Sequence, residues 1–164
     1  MSKSTLYVGY TYEEVVRKYA QAVAGVCMMQ LQNHADAEDC FQNTFVKLLT
    51  KNPSLRDENH LKNWLLRVAV NECHNLRKKN SRVVSIETMT DDPSYYQSED
   101  ELDLSWALMK LKPDYREILY LHYCERYKVD EIAEIVGRKP NTVKVMLKRG
   151  REMLKAVVYG GDAE

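Results

Sequence analysis

Four cations recur along the stretch from Tyr127 to Lys155, YKVDEIAEIVGRKPNTVKVMLKRGREMLK: Lys144, Lys148, Arg151 and Lys155. Spacings of three and four place them on one face of a helix, with Glu152 the only acid among them and Asn141 on the same side near the N-terminal end. Such a row suits DNA phosphates, and its side-chain types also read base edges in a major groove. A second set is Asn71 and Asn75, one helical turn apart. Their amides offer donors and acceptors together, as an exposed base edge requires. Arg77, Lys78 and Lys79 follow them, with Arg82 just beyond. A third set is acidic and amide-bearing: Asp36, Glu38, Asp39, Gln42 and Asn43. No group of residues suits covalent catalysis. His34, His60, His74 and His122 are scattered, and no nucleophile motif, phosphate loop or metal-ligand spacing occurs. Neither an enzyme nor a cofactor is therefore expected. Cys27, Cys40, Cys73 and Cys124 form no CxxC pair. They read as four buried thiols in a reducing cytoplasm, not as a zinc site or a disulfide framework.

The cationic row needs a helix held at an angle to another. Val129, Ile132, Ala133 and Val136 follow i, i+3, i+4, i+7, an apolar stripe at helical period. Gly137 stops that helix in a left-handed cap, and Pro140 suits the first turn of the next. Val143, Leu147, Gly150 and Leu154 line the inner face of this second helix, opposite its cations. Helix, short glycine turn and cationic helix make the helix–turn–helix pattern of a major-groove reader.

The remaining elements are also helical. Thr11 to Gln32 carries Val15, Val16, Tyr19, Ala22, Val23, Val26 and Leu31 on one face, with Tyr7, Tyr10 and Tyr12 sealing one end of a core. Asp36 to Leu49 turns Cys40, Phe41, Phe45, Leu48 and Leu49 inward, with Asp36 as its cap and Asp39 three residues on. Spacing alone leaves the acids of this helix as a solvated face that complements the helix dipole. Lys51 to His60 is a polar loop broken by Pro53; Leu61 to Lys79 is the next helix, with Trp64, Leu65, Val68, Ala69 and Cys73 inward. Ser81 to Leu102 is polar, acidic and poorly periodic, and reads as a linker. Helical pattern resumes at Leu104, and Asp114 to Cys124 leads into the helix–turn–helix. The expected fold is all-α: two small helical bundles, residues 1–82 and 104–164, on a flexible acidic linker, 83–103. Lysine plus arginine and aspartate plus glutamate number 24 each, so the net charge of this 164-residue chain is zero and its basic residues must be segregated, not abundant. No apolar run is long enough to span a membrane. The start, MSKSTLYVGYTYEE, lacks the apolar core of a signal peptide, so a cytoplasmic protein is expected.

Three stretches in order resemble one family. DAEDCFQNTF, WLLRVAVNECHNLRKK and the segment Leu108 to Val157 are similar to the three working motifs of bacterial sigma factors of the extracytoplasmic-function group, within the sigma-70 family. The resemblance covers almost the whole chain and implies a protein that binds core RNA polymerase, delivers it to promoter DNA and helps melt the duplex. It implies that Asp36, Asp39, Gln42 and Asn43 dock on the clamp coiled coil of the largest polymerase subunit, replacing the solvated-face reading. It implies that Asn71 and Asn75, with Arg77, Lys78 and Lys79, face the −10 element, and that the loop Asn52 to His60 captures a flipped base. Asn141, Lys144, Val145, Lys148, Arg149 and Arg151 match the helix that reads the −35 element, where Val145 suits a thymine methyl. Many family members are held by an anti-sigma partner, which is the further partner expected. The rival reading is a conventional helix–turn–helix transcriptional regulator, which accounts for Tyr127 to Lys155 alone. Finally, the linker acids Glu87, Asp91, Asp92, Glu99, Asp100, Glu101 and Asp103 are expected to compete with DNA for the basic faces in the free protein.

Overall fold

The computed structural model describes residues 6–80 and 99–160, and those residues are helical apart from turns, loops and one short antiparallel contact. The linker acids Glu87, Asp91 and Asp92 lie outside the described residues, as do Arg82 and the side chains of Glu99, Asp100, Glu101 and Asp103.

Three helices form the N-terminal unit: α1 (Tyr12–Leu31), α2 (His34–Lys51) and α3 (Glu58–Asn80). Each packs on the other two. α1 starts where Thr11 Oγ1 accepts from Glu14 N at 3.2 Å while Glu14 Oε1 accepts from Thr11 N at 3.1 Å, a reciprocal cap that satisfies two otherwise unpaired donors. Ahead of it, Tyr7 and Tyr10 exchange backbone bonds across a turn at Val8 and Gly9, and buried Tyr7 closes the end of the core. α2 begins two residues earlier than its sequence pattern implies. Its cap is Asn33, whose side chain accepts from Asp36 N at 3.1 Å, and not Asp36. α3 likewise begins upstream of Leu61, with Asp57 Oδ1 accepting from His60 N at 2.8 Å.

The core of this unit is apolar apart from the buried Gln30 and Thr44. Val15, Val23, Leu48, Leu61, Leu65, Leu66, Ala69 and Val70 are completely buried. Burying a leucine side chain stabilises a fold by roughly 1.5–3 kcal/mol. Cys27, Cys40 and Cys73 join them, one from each helix, and hydrogen bonding to the other two thiols together with burial raises Cys73 far above an ordinary thiol. All three are core side chains. Cys124 departs from the expectation of four buried thiols: α5 ends at Tyr123, and Cys124 is exposed. Leu49, also expected inward, is about half exposed, because Leu48 takes the inward position and its neighbour is turned by a further 100° around the helix.

The C-terminal unit holds α4 (Glu99–Met109), α5 (Pro113–Tyr123), α6 (Val129–Val136) and α7 (Pro140–Val158). α4 begins inside the stretch that reads as linker. α5 packs against α4, α6 and α7, and it also packs on α1, while α6 packs on α3, so the two units meet along a seam. Two glycines permit the tightest approaches. A Cβ at Gly150 of α7 would lie 3.0 Å from Leu119 Cδ1, and a Cβ at Gly25 of α1 would lie 2.7 Å from Tyr120 Cζ. A glycine inside a helix costs about 1 kcal/mol relative to alanine, and these close contacts are what each glycine permits.

Removing the observed cap tests the start of α2. Asn33→Ala is expected to lower the unfolding free energy by about 1 kcal/mol, read from urea denaturation followed by circular dichroism. A midpoint equal to that of the parent would show that Asn33 does not cap.

Candidate nucleic-acid interface

Pro140 opens α7 at its first position, and Gly137 closes α6 in the left-handed conformation, φ 72° and ψ 36°, with its N–H bonded to Ala133 O at 2.9 Å. Val143, Met146, Leu147 and Gly150 are the buried face of α7. Asn141, Lys144, Val145, Lys148, Arg149 and Arg151 are all exposed. The sequence-predicted recognition residues therefore stand together on one solvent-facing surface, and 48% of Val145 is open as an apolar spot among cations. Arg151 Nη1 leans toward the Tyr123 hydroxyl at 3.5 Å. The turn is tethered to its own unit by Arg138, whose Nη2 lies 3.3 Å from Asp114 Oδ2 at the start of α5.

On α3, Asn71, Asn75, Lys78 and Lys79 are exposed. Arg77 is set apart from them. Its Nη2 donates to Asp114 Oδ1 at 3.2 Å, so the C-terminal unit holds it. Leu66 is fully buried and Trp64 packs against the core, which gives both an internal role. In the loop before α3, His60 Nδ1 accepts from Arg56 N at 3.1 Å, folding that loop onto the helix start.

On α2, Asp39, Gln42 and Asn43 are exposed along one side. Asp36 is partly buried and accepts from Asn80 Nδ2 at 3.2 Å, which joins the start of α2 to the end of α3. Val46 and Leu49, about half exposed, continue the Asp39–Gln42 side down the helix. Sequence reasoning missed both as surface residues. The available signal was the Leu48–Leu49 pair, since adjacent residues diverge by 100° and the second lies nearer the edge of the apolar face.

Charged side chains also meet across the seam. His74 Nε2 lies 2.9 Å and 3.1 Å from the two oxygens of Glu117, whose side chain is only 1% exposed. Lys62 Nζ pairs with Glu125 at 2.8 Å and lies 5.3 Å from the centre of the Tyr127 ring. Ligand atoms of His74, Asp114 and Glu117 lie within 4.8 Å of one another. Arg77 and Arg138 hold both oxygens of Asp114, however, and their charge opposes a cation there. The cluster combines two Arg–Asp ion pairs with a His–Glu hydrogen bond. Next to it, burial, and to a lesser degree the like charge of Arg77, brings Arg116 down to about 10.

Two family profiles match this chain: Sigma-70 region 2 over residues 15–83 and Sigma-70, region 4 over residues 102–154. The chain belongs to the sigma-70 family. It is a sigma factor of the extracytoplasmic-function group, and it acts with RNA polymerase in promoter recognition. Among its relatives is the RNA polymerase sigma factor SigV of Bacillus subtilis, 29% identical over 76% of this chain and 77% of SigV. The sigma factor YlaC of the same organism is 28% identical over 87% of this chain and 89% of YlaC. The solved structure of the sigma factor RpoE from Bartonella quintana, in complex with the anti-sigma factor NepR, is 27% identical. It covers 90% of this chain and 96% of its own, with a TM-score of 0.76. The region 2 match places α1 to α3 in one module and the region 4 match places α5 to α7 in another. A conventional regulator would leave the first of these unexplained. No helix among the described residues is long and apolar enough to cross a membrane.

Arg116 supplies a pH argument with a definite sign. Its folded value lies below that of a free guanidinium, so folding disfavours the charged form. That penalty is complete below about pH 10 and relaxes as pH rises from there toward the ordinary guanidinium range. Arg116→Met, which removes the charge and keeps an unbranched apolar stem, is expected to leave stability at pH 7 unchanged or raise it by about 1–2 kcal/mol. Thermal and urea unfolding measure this. A loss above about 1 kcal/mol would reveal a compensating partner for the guanidinium.

Proposed function

We propose that this sigma factor divides its work among three exposed surfaces. The α2 side bearing Asp39, Gln42 and Asn43, with Asp36 at its start, docks on core RNA polymerase. The α3 side bearing Asn71 and Asn75 faces the −10 element, with Lys78 and Lys79 on adjacent phosphates and Arg77 joining them once released from Asp114. The α7 surface of Asn141, Lys144, Val145, Lys148, Arg149 and Arg151 reads the −35 element. Residues 1–82 and 104–164 serve as the two working domains, joined by 83–103. The observation that carries this reading is the simultaneous exposure of all six α7 residues and both α3 asparagines, on two modules that match regions 2 and 4.

Val46 and Leu49 extend the docking side with apolar surface, which suits a protein partner better than DNA. The chain contributes recognition and strand separation without catalysis of its own, and it acts in the cytoplasm, where polymerase and promoter meet. An anti-sigma partner is supported by the likeness to RpoE, whose solved structure is a complex with NepR.

Run-off transcription with core polymerase over a promoter library tests the whole reading, which predicts transcripts from a defined subset of promoters. Transcripts absent from every promoter would overturn it. Individual surfaces separate in simpler assays. Asp39→Lys with Gln42→Ala is expected to weaken core binding by about tenfold or more, about 1.4 kcal/mol, with helical content intact. Lys148→Ala is expected to weaken duplex binding and reduce its salt slope by about 1. Asn71→Ala is expected to spare duplex binding while lowering permanganate reactivity of thymines near the start site; normal reactivity would remove Asn71 from the opening surface.

A further inference from the structure

Tyr123 is the last residue of α5, and 44% of it is exposed. Its ring is nonetheless held in place. His122 meets it edge to face, with ring centres 4.8 Å apart and planes at 81°. His122 is itself pinned, since its Nδ1 lies 3.0 Å from Tyr127 O. A carbonyl oxygen only accepts, so Nδ1 carries the proton and donates. At the outer end of the tyrosine ring the hydroxyl accepts from Arg151 Nη1 at 3.5 Å.

This arginine is held differently from Arg77 and Arg138. Asp114 pairs with both of those and offsets their charge. No carboxylate among the described residues pairs with Arg151. A neutral hydroxyl steadies the guanidinium without offsetting its charge, and most of the guanidinium donors stay open. The phenol also keeps its own proton. Accepting from Arg151 uses a lone pair, so the O–H remains available to donate. A guanidinium and a phenol side by side suit an anionic oxygen. Position along α7 says which anion. A helix rises about 1.5 Å per residue, so Arg151 stands about 15 Å along the axis from Asn141. A major groove is about 12 Å wide. With the N-terminal end of α7 at base edges, Arg151 and Tyr123 fall at the backbone that flanks the groove.

We propose that Tyr123 and Arg151 form a clamp on one DNA backbone phosphate beside the −35 element, the phenol donating a neutral hydrogen bond and the guanidinium supplying the charge. The proposal rests on the α7 reading above and adds to it a residue from a different helix. Phosphate contacts set orientation and carry no sequence information, so the clamp fixes how far along the groove α7 sits.

The experiment uses the full chain bound to core polymerase, on a promoter duplex taken from the run-off assay. Single phosphates around the −35 element are replaced in turn by uncharged methylphosphonate. Tyr123→Phe keeps the ring and its edge contact with His122 and deletes only the hydroxyl. It is expected to weaken binding to the unmodified duplex about threefold to tenfold, with an unchanged salt slope, because a neutral donor releases no counterion. Arg151→Ala is expected to lower that slope by about 1. At one methylphosphonate position the parent is expected to lose affinity several-fold and Tyr123→Phe to lose little more, since the two changes remove the same contact. The thermal midpoint of Tyr123→Phe is expected to match the parent's. Parent-like affinity of Tyr123→Phe would overturn the clamp. Equal penalties for parent and Tyr123→Phe at every methylphosphonate position would also overturn it, leaving the tyrosine as a support for the helix. Lys148→Ala decides the reading beneath: if it too binds like the parent, α7 does not read the −35 element and the clamp falls with that reading. Weak binding by Lys148→Ala beside parent-like binding by Tyr123→Phe removes the clamp alone.

Discussion

Two adjacent side chains of α5 are pressed into two glycine notches on different helices. Leu119 sits against Gly150 of α7, and Tyr120 sits against Gly25 of α1. Because neighbouring residues on a helix diverge by 100°, one short element can bind two partners by different faces. α5 therefore fixes where the cationic helix stands within its own unit and where that unit stands on the other. The first turns of α5 add charge to this geometry. Asp114 and Glu117 are acids near the positive end of a helix, and they draw in Arg77 and His74 from α3 and Arg138 from the turn before α7.

The molecule has two kinds of internal boundary. Within the N-terminal unit the contacts are apolar and completely buried, from Val15 to Val70. The seam instead mixes a tyrosine seat with ion pairs and amide contacts to backbone carbonyls. Interfaces between domains are characteristically more polar than domain cores, and their relative motion follows from that. Buried apolar residues of both units nonetheless join in one continuous cluster across the junction.

How much of this could be read in the sequence depended on distance along the chain. The helix–turn–helix was legible because its determinants are local: Gly137 adopts the left-handed cap and Pro140 the first turn, as their residue types require. Asn141, Lys144, Lys148 and Arg151 followed from helical periodicity, whereas Val145 and Arg149 came from resemblance. The start of α2 was misplaced because Asn33 and Asp36 are both good capping residues and nothing local ranks them. Leu49 was misjudged because periodicity does not say which of two adjacent leucines faces in. Roles for Asp39 and Gln42 came from resemblance, since spacing describes only an acidic face. The seam was invisible: Gly25 and Tyr120, or His74 and Glu117, lie far apart in sequence and belong to different units. The only local trace was an unexplained glycine inside an otherwise regular helix, and Arg77, read as a DNA contact, gave no sign of its partner Asp114.

The cations exposed on α7 belong to a chain whose charges sum to zero. At physiological ionic strength, electrostatic attraction fades over about 8 Å, and a neutral molecule has no net charge to extend its pull beyond that range. A protein with the same cationic helix and a large positive charge would spread over the whole chromosome, held by phosphates regardless of sequence. A chain whose charges balance lacks that long-range pull, so its hold on DNA rests on the local contacts of the α7 face.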